Sequence, residues 1–294
     1  MTGGLVVAAY RRHYDVELDG GARVACVQKG RSLRIAVGDR VQVTRTREGD
    51  VITAVEPRAN LVFRSDALKE KLLAANVTQV AAVAAPDVAL DENLLNRWIV
   101  AAETAQCRFV VLANKADLPS FAALRARLAP YESLGYAVVP LSAKRDAGAA
   151  RPWLSGQHTV LVGQSGMGKS TLINALVPGA AARTTIVSEA LKSGRHTTTS
   201  STLYALPDLG DDTWIVDSPG MKVFGLAHVD LDGLARAFVE MRPYLGHCRF
   251  RDCRHDVEPD CALTAAVAAG RIAPQRLALL HALLSEHKAG VRSR

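Results

Sequence analysis

The chain contains no stretch approaching the roughly eighteen apolar residues that a membrane-crossing helix needs. The one apolar run near its start, residues 5–10, is too short for a secretory signal, and Arg11 and Arg12 follow it rather than precede it. Cysteines number only five, three of them in one short stretch, so a disulfide framework of the secreted kind is not indicated. These absences point to the cytosol and to no membrane partner. Internal repeats and low-complexity segments are also missing, which excludes solenoids and long disordered tails. Aromatics are sparse across the first 64 residues, where Tyr10, Tyr14 and Phe63 stand among many arginines.

What is present is enough apolar material, 49% of 294 residues, for two or three packed domains. The net charge of +7 is unevenly spread. Residues 1–64 carry eleven Lys and Arg against seven Asp and Glu, and residues 241–294 carry nine against five. Residues 65–240 are nearly balanced, sixteen against seventeen. Two basic flanks around a neutral centre suit a polyanionic partner such as nucleic acid.

The centre holds Gly163-Gln164-Ser165-Gly166-Met167-Gly168-Lys169-Ser170, with an apolar strand pattern at 159–162 before it and a helical pattern at 171–176 after it. Strand, glycine loop and helix in that order form a phosphate-binding P-loop. Backbone N–H groups of the loop and helix start point at phosphate oxygens, and glycine lets the backbone come close. Lys169 would reach the β- and γ-phosphates, and Ser170, followed by Thr171, would complete the shell of a Mg²⁺ ion.

Asn114-Lys115-Ala116-Asp117 follows an apolar strand pattern at 108–112, so it sits where ligands bind in parallel sheets. The Asp117 carboxylate accepts two hydrogen bonds from guanine N1–H and its 2-amino group, which adenine does not offer. Asn114 would support the O6 side, Lys115 would lie along the ring, and a backbone N–H of Ser142-Ala143 is placed to bond O6. Asp217-Ser218-Pro219-Gly220 closes another strand. There Asp217 would hold Mg²⁺ through a water, and the Gly220 N–H would sense the γ-phosphate. Between them runs Ser193-Gly194-Arg195-His196-Thr197-Thr198-Thr199, a polar loop in which Thr198 is the expected Mg²⁺ ligand. Asn114–Asp117 precedes Gly163–Ser170, the reverse of the common GTPase order, so the domain reads as circularly permuted. The nucleotide-sensing loops then lead directly toward the C-terminal segment, an order that suits signalling between them. Met221 stands where many GTPases carry a water-orienting glutamine. His196 is the nearest polar candidate for that task, and intrinsic hydrolysis is expected to be slow and accelerated by a partner.

Around this centre the chain divides into 1–64, 65–225 and 226–294. Residues 1–64 show five short strand patterns separated by Gly and Asp turns, fitting a small closed barrel of the OB type. With so few aromatics it would bind through phosphate and shape, although an SH3-like protein-docking barrel fits the same strand count. Residues 65–225 alternate strand and helix, the pattern of a mostly parallel α/β sheet. Residues 231–245 and 274–288 read as helical. Between them lies Cys248-x4-Cys253-x-His255-x5-Cys261, a Cys₃His set suited to structural tetrahedral zinc with no open position. His247 is a competing, less well spaced ligand. Arg249, Arg251 and Arg254 interleave with the cysteines as expected RNA contacts, while Cys26 and Cys107 read as core residues.

The permuted order, the Gly163–Ser170 loop, Gly194-Arg195-His196-Thr197-Thr198-Thr199, Asp217–Gly220 and the Cys₃His spacing together resemble the bacterial ribosome small subunit-dependent GTPase A family, over essentially the whole chain. The resemblance implies an N-terminal OB-like β-barrel, a circularly permuted P-loop GTPase domain and a C-terminal helical zinc-binding domain. It further implies a GTP/GDP cycle acting late in 30S maturation, with 16S rRNA near the decoding region as contact and the subunit as activator. A monomer is expected. The competing readings are a regulatory GTP-binding protein acting on a protein target and a small-molecule kinase. Asn114–Asp117 and the lack of a second-substrate motif argue against the kinase.

Overall fold

In a computed structural model the described residues are 1–10, 13–30, 33–66, 69–177, 179–180, 201–217, 226 and 229–292. Five strands come first: β1 (Thr2–Ala9), β2 (Tyr14–Leu18), β3 (Arg23–Gln28), β4 (Arg40–Thr46) and β5 (Gly49–Val55). Their pairing order, β1-β2-β3-β5-β4, closes because β4 also pairs with β1. This is the expected five-stranded OB-like barrel. It is filled by Val6, Tyr14, Val16, Cys26, Ile35, Val41, Val43 and Ile52. Successive side chains of a strand face opposite ways, and β1 uses both faces. Val6 enters the barrel core and Val7 enters the core of the next domain.

A separate hairpin follows, β6 (Leu61–Asp66) and β7 (Lys69–Ala75), which the sequence patterns did not indicate. It spans residue 64, and its Val62, Leu73 and Ala74 are buried against the main core. Just before the hairpin, the buried Asp39 carboxylate ties Arg58 back onto the barrel, accepting from Arg58 Nε at 2.6 Å and from the Ala36 amide at 2.7 Å.

The α/β domain then builds in sequence order: β8 (Gln79–Ala84), α1 (Glu92–Thr104), β9 (Arg108–Ala113), α2 (Phe121–Ser133), β10 (Ala137–Pro140), α3 (Arg151–Leu154), β11 (His158–Val162), α4 (Lys169–Leu176), β12 (Ser201–Ala205) and β13 (Trp214–Asp217). Strands β10-β9-β8-β11-β13 are parallel, and β12 runs antiparallel to β13. Every residue of β8 is buried, as befits a central parallel strand covered on both faces. Strand order reverses between β8 and β11, which opens a ligand crevice at their carboxyl ends. Helix α2 continues past the expected end at 128, through Pro130, because Tyr131 packs into the core and outweighs the lost N–H. Strand β12 pairs with β1 (Ala8↔Thr202, Ala9↔Ser201), so the barrel and the α/β sheet form one continuous sheet of eleven strands.

The C-terminal module has α5 (Leu231–Arg236), α6 (Ala262–Ala268) and α7 (Pro274–Arg292) around its own core of Phe238, Met241, Leu263, Leu280 and neighbours. The expected single helix over 231–245 stops at Arg236. Beyond it Phe238 and Met241 bond three residues back, to Ala235 and Phe238, and Pro243 has no N–H to extend a helix. Helix α6 was not indicated by the sequence patterns.

Helix α1 carries this module. Val100 belongs to the module's core, while Leu95, Trp98, Ile99 and Ala102 face the sheet. Arg276, 6% exposed, pairs with Glu240 at 2.5 Å, donates to Asn96 Oδ1 at 2.8 Å and lies over the Phe238 ring at 4.5 Å. Removing one partner of such a buried pair leaves an uncompensated charge, so Arg276→Ala should destabilise the module by about 3–5 kcal/mol. Urea unfolding followed by α7 hydrogen exchange checks this, and wild-type protection would contradict it.

Candidate functional site

The P-loop lies between β11 and α4, with Gly163, Gly166 and Gly168 at φ of +151°, +83° and +95°. A side chain at Gly163 would come within 2.7 Å of the Val83 carbonyl of β8, so the loop packs directly against the neighbouring strand. Met167 is fully buried, whereas Ser165, Ser170 and Thr171 are exposed. Met167 can therefore meet a ligand only through its backbone. Lys169 Nζ folds back on the loop, donating to the Gly163 carbonyl and to the Gln164 carbonyl at 3.0 Å. Burial pushes the Lys169 ammonium below its usual range, and Asp217 at the end of β13 opposes that shift. Phosphate oxygens in the loop would be stronger acceptors for the same ammonium.

Asn114 directly follows β9 and is 2% exposed. Its Nδ2 donates to the Met167 carbonyl at 2.9 Å and its Oδ1 accepts from the Ala143 amide at 2.9 Å. One side chain thus ties the P-loop, the Asn114–Asp117 segment and the Ser142–Ala143 loop together. Of the backbone N–H groups in the Ser142–Ala143 loop expected near guanine O6, that of Ala143 is engaged by Asn114. Gly168 must lack a side chain, because a Cβ there would strike Asn114 Nδ2. Lys115 adopts φ +59°, and its Nζ bonds Asp87 at 2.6 and 2.9 Å and the Gly166 carbonyl at 2.8 Å. The Ser142 hydroxyl, the local backbone, Arg145 and Lys144 hold the Asp117 carboxyl below the usual carboxylate range, with Arg145 Nε 3.3 Å away. Ionised, Asp117 is an acceptor on both oxygens, as guanine recognition requires.

The structure therefore gathers Asn114, Lys115, Asp117, Ser142, Ala143, the Gly163–Thr171 segment and Asp217 at the carboxyl ends of β9, β10, β11 and β13. His196, Thr198 and Gly220 lie outside the described residues, as do the links from the nucleotide loops toward α5. Two contacts escaped the sequence reading. Asp87 grips Lys115, and Gln164 Oε1 accepts from the Asp91 amide at 3.1 Å, joining the P-loop to the start of α1. Asp87 follows β8 as Asn114 follows β9, and that position was the signal for it.

In the C-terminal module the ligand atoms of Cys248, Cys253, His255 and Cys261 all lie within 4.8 Å of one another. Cys248 Sγ and Cys261 Sγ each approach His255 Nδ1 at 3.5 Å. His255 and Asp260 take left-handed φ values of +61° and +57°, folding the loop back on itself. Burial pushes the Cys253 thiol up to about 12, a direction that a cation among the sulfurs would reverse. Three thiolates and an imidazole are a ligand set for a tetrahedral metal ion. The His255 carbonyl is held by His281 of α7, which braces the loop. Cys26 and Cys107 are buried, as expected of core residues.

Residues 55–227 match the RsgA GTPase family. A "Small ribosomal subunit biogenesis GTPase RsgA" of Burkholderia pseudomallei is 48% identical over 98% of this chain and 93% of its own length. A protein of the same description from Paraburkholderia phytofirmans is 47% identical over 99% of this chain and 95% of its own length. Among solved structures, the crystal structure of YjeQ from Thermotoga maritima aligns with a TM-score of 0.70 at 29% identity, covering 97% of this chain and 98% of the other. YloQ, described as a circularly permuted GTPase, shares the fold with a TM-score of 0.69 at 23% identity, over 98% and 96% of the two chains.

Replacing Asp117 with Asn exchanges one acceptor for a donor facing the 2-amino group. GTP affinity should fall roughly 10- to 150-fold, the worth of one charge-assisted hydrogen bond, while xanthosine triphosphate, with a 2-oxo group, should gain. Competition binding checks this, and unchanged GTP preference would contradict it.

Proposed function

The chain belongs to the RsgA GTPase family, and from that membership we propose that its GTP hydrolysis serves biogenesis of the small ribosomal subunit through contact with the 30S particle and its 16S rRNA. The small-subunit part of this reading is carried by the 48% identity to a small ribosomal subunit biogenesis GTPase over 98% of the chain, and its nucleotide part by the Asn114 brace, which holds the base-reading and phosphate-binding loops in one site at 2.9 Å on either side. In this reading the backbone N–H groups of residues 163–171 cradle the phosphates and Lys169 leaves its loop carbonyls for the β- and γ-oxygens. Asp117 reads the guanine edge, while Asn114 and Ala143 shape its O6 side. Ser170, Thr198 and, through water, Asp217 would hold Mg²⁺, which neutralises charge building between the phosphates. His196 orients the attacking water, and the Gly220 amide senses the γ-phosphate.

The remaining modules supply contacts. The barrel of residues 1–64 and the zinc-binding module of residues 226–294, with Cys248, Cys253, His255 and Cys261 on the metal, flank the GTPase domain of residues 65–225. Arg249, Arg251 and Arg254 on the metal-braced loop, with the barrel arginines, supply positive charge to rRNA phosphates. The protein acts as a monomer in the cytoplasm.

The test is GTP turnover titrated with purified 30S subunits. Turnover should be slow alone and rise at least about tenfold with 30S, a floor well under the roughly 10³- to 10⁵-fold that partners supply to GTPases. His196→Ala should remove the stimulated part and leave nucleotide binding. Stimulation by 50S equal to that by 30S, or none by either, would overturn the reading.

A further inference from the structure

Two cavities adjoin on the face of the C-terminal module that packs against α1. The larger, about 910 Å³, is lined by Glu103, Gln106 and Arg108 from the end of α1 and start of β9, and by Arg236, Arg242 and Leu245 opposite. The smaller, about 370 Å³, opens onto the metal cluster, with Cys248, Cys253 and His255 forming its floor and Arg236, Phe250 and Arg251 among its walls. Both are bordered by Arg236, Leu245 and Gly246, so they form one cleft running past Arg236. The P-loop sits at the carboxyl ends of the parallel strands, whereas this cleft meets β9 at its amino end. It is a different site from the nucleotide site.

The cleft is basic. Arg108, Arg236, Arg242 and Arg251 face two acids, Glu103 and Asp232. Glu103 is already engaged, by Arg242 at 2.6 Å and by the Tyr136 hydroxyl at 3.1 Å. Arg236 and Arg251 are exposed, and neither side chain has an ion-pair partner among the described residues. Phe250, 41% exposed, walls the smaller cavity with the Arg249 guanidinium 5.5 Å from its ring centre. At Gly246, φ is +82° and nothing lies within 4 Å of where a side chain would be, so the lip between the cavities is low and open.

A basic track with a planar aromatic wall is the arrangement that binds single-stranded nucleic acid, through phosphates and base stacking together. A cavity of about 370 Å³ admits an unstacked nucleotide and not a duplex. We propose that this cleft holds a single-stranded RNA segment, with Arg108, Arg236 and Arg251 on successive phosphates and one base against Phe250. The proposal rests on the small-subunit reading above and adds which form of RNA is taken and where. The barrel, poor in aromatics, meets RNA by charge and shape, and base stacking belongs to this cleft.

The experiment uses the full chain, metal-loaded and saturated with GDP, and a fluorescent oligouridylate of about twelve nucleotides, a length spanning one ssRNA-binding groove. Anisotropy is followed over a series of salt concentrations, with a hairpin duplex of equal charge as comparison. Wild type should prefer the single strand. Arg236→Gln and Arg251→Gln should each reduce the salt slope by about 0.7, one phosphate contact on a single strand. Phe250→Leu should weaken binding about 5- to 100-fold with the slope unchanged. Basal GTP turnover, whose machinery these residues do not enter, should stay at the wild-type value and so report an intact fold. Ultraviolet crosslinking in 30S particles should place Phe250 on an unpaired rRNA nucleotide. No oligonucleotide binding, equal duplex binding, wild-type slopes in both arginine variants, or a crosslink to a ribosomal protein would each overturn the proposal. Turnover stimulated by 30S in the wild type reads the functional proposal separately, so either can fail while the other stands.

Discussion

The Asn114 side chain is the point on which the nucleotide site depends. It is buried, and its two ends are spent on backbone groups of two different loops, Met167 and Ala143. A buried amide with both ends satisfied is a rigid spacer, and removing it would orphan a carbonyl and an N–H at once. Gly168 is glycine because Asn114 occupies the space a side chain would take. Lys115, next in the chain, makes a parallel tie through Gly166 and Asp87. Two consecutive residues just after β9 thus position the loop after β11, the neighbour but one of β9 in the sheet.

The permutation explains how the flanking modules attach. Breaking the usual chain order leaves β8, β9 and β10 ahead of the P-loop and β12 and β13 after it, without altering which strands are adjacent. The barrel joins twice, at Val37 and Gly38, whose carbonyls accept from the Ala75 amide and the Asn76 side chain at the end of the β6–β7 hairpin, and through the β1–β12 pairing. The latter pairing involves Ser201, three residues beyond Thr198. The C-terminal module joins through α1, whose N-cap residue Asp91 touches the P-loop at Gln164 and whose body carries Arg97–Glu286, Asn96–Arg276 and Glu103–Arg242. Both modules are therefore attached to elements adjoining the nucleotide site.

Much of this was legible in the sequence because it rests on local chemistry. The P-loop, Asn114–Asp117 and the Cys₃His cluster are short motifs whose spacing carries their geometry, and the buried parallel strands are plain apolar runs. Elements that depend on tertiary packing were less legible. Helix α2 passes Pro130 because Tyr131 is buried, and the segment after Arg236 leaves the helix for turns that seat Phe238 and Met241 in a core. The β6–β7 hairpin has no alternation strong enough to announce it, and its pairing is secured by the core beneath. The Asp87–Lys115 and Asp91–Gln164 contacts were not legible because they join loops distant in sequence. The bracing contacts of Asn114 are of the same kind, reaching loops 29 and 53 residues away.

The claim that one buried amide assembles the site is tested most directly by Asn114→Ala, with affinity for a fluorescent GDP analogue and hydrogen exchange of the loops measured on the same protein. Losing partners for two buried backbone groups should weaken nucleotide binding by about 30-fold or more. Exchange should rise together in the Gly163–Ser170 and Ser142–Ala143 loops while β8 and β9 stay protected. Nucleotide affinity at the wild-type level, with unchanged exchange in both loops, would contradict it.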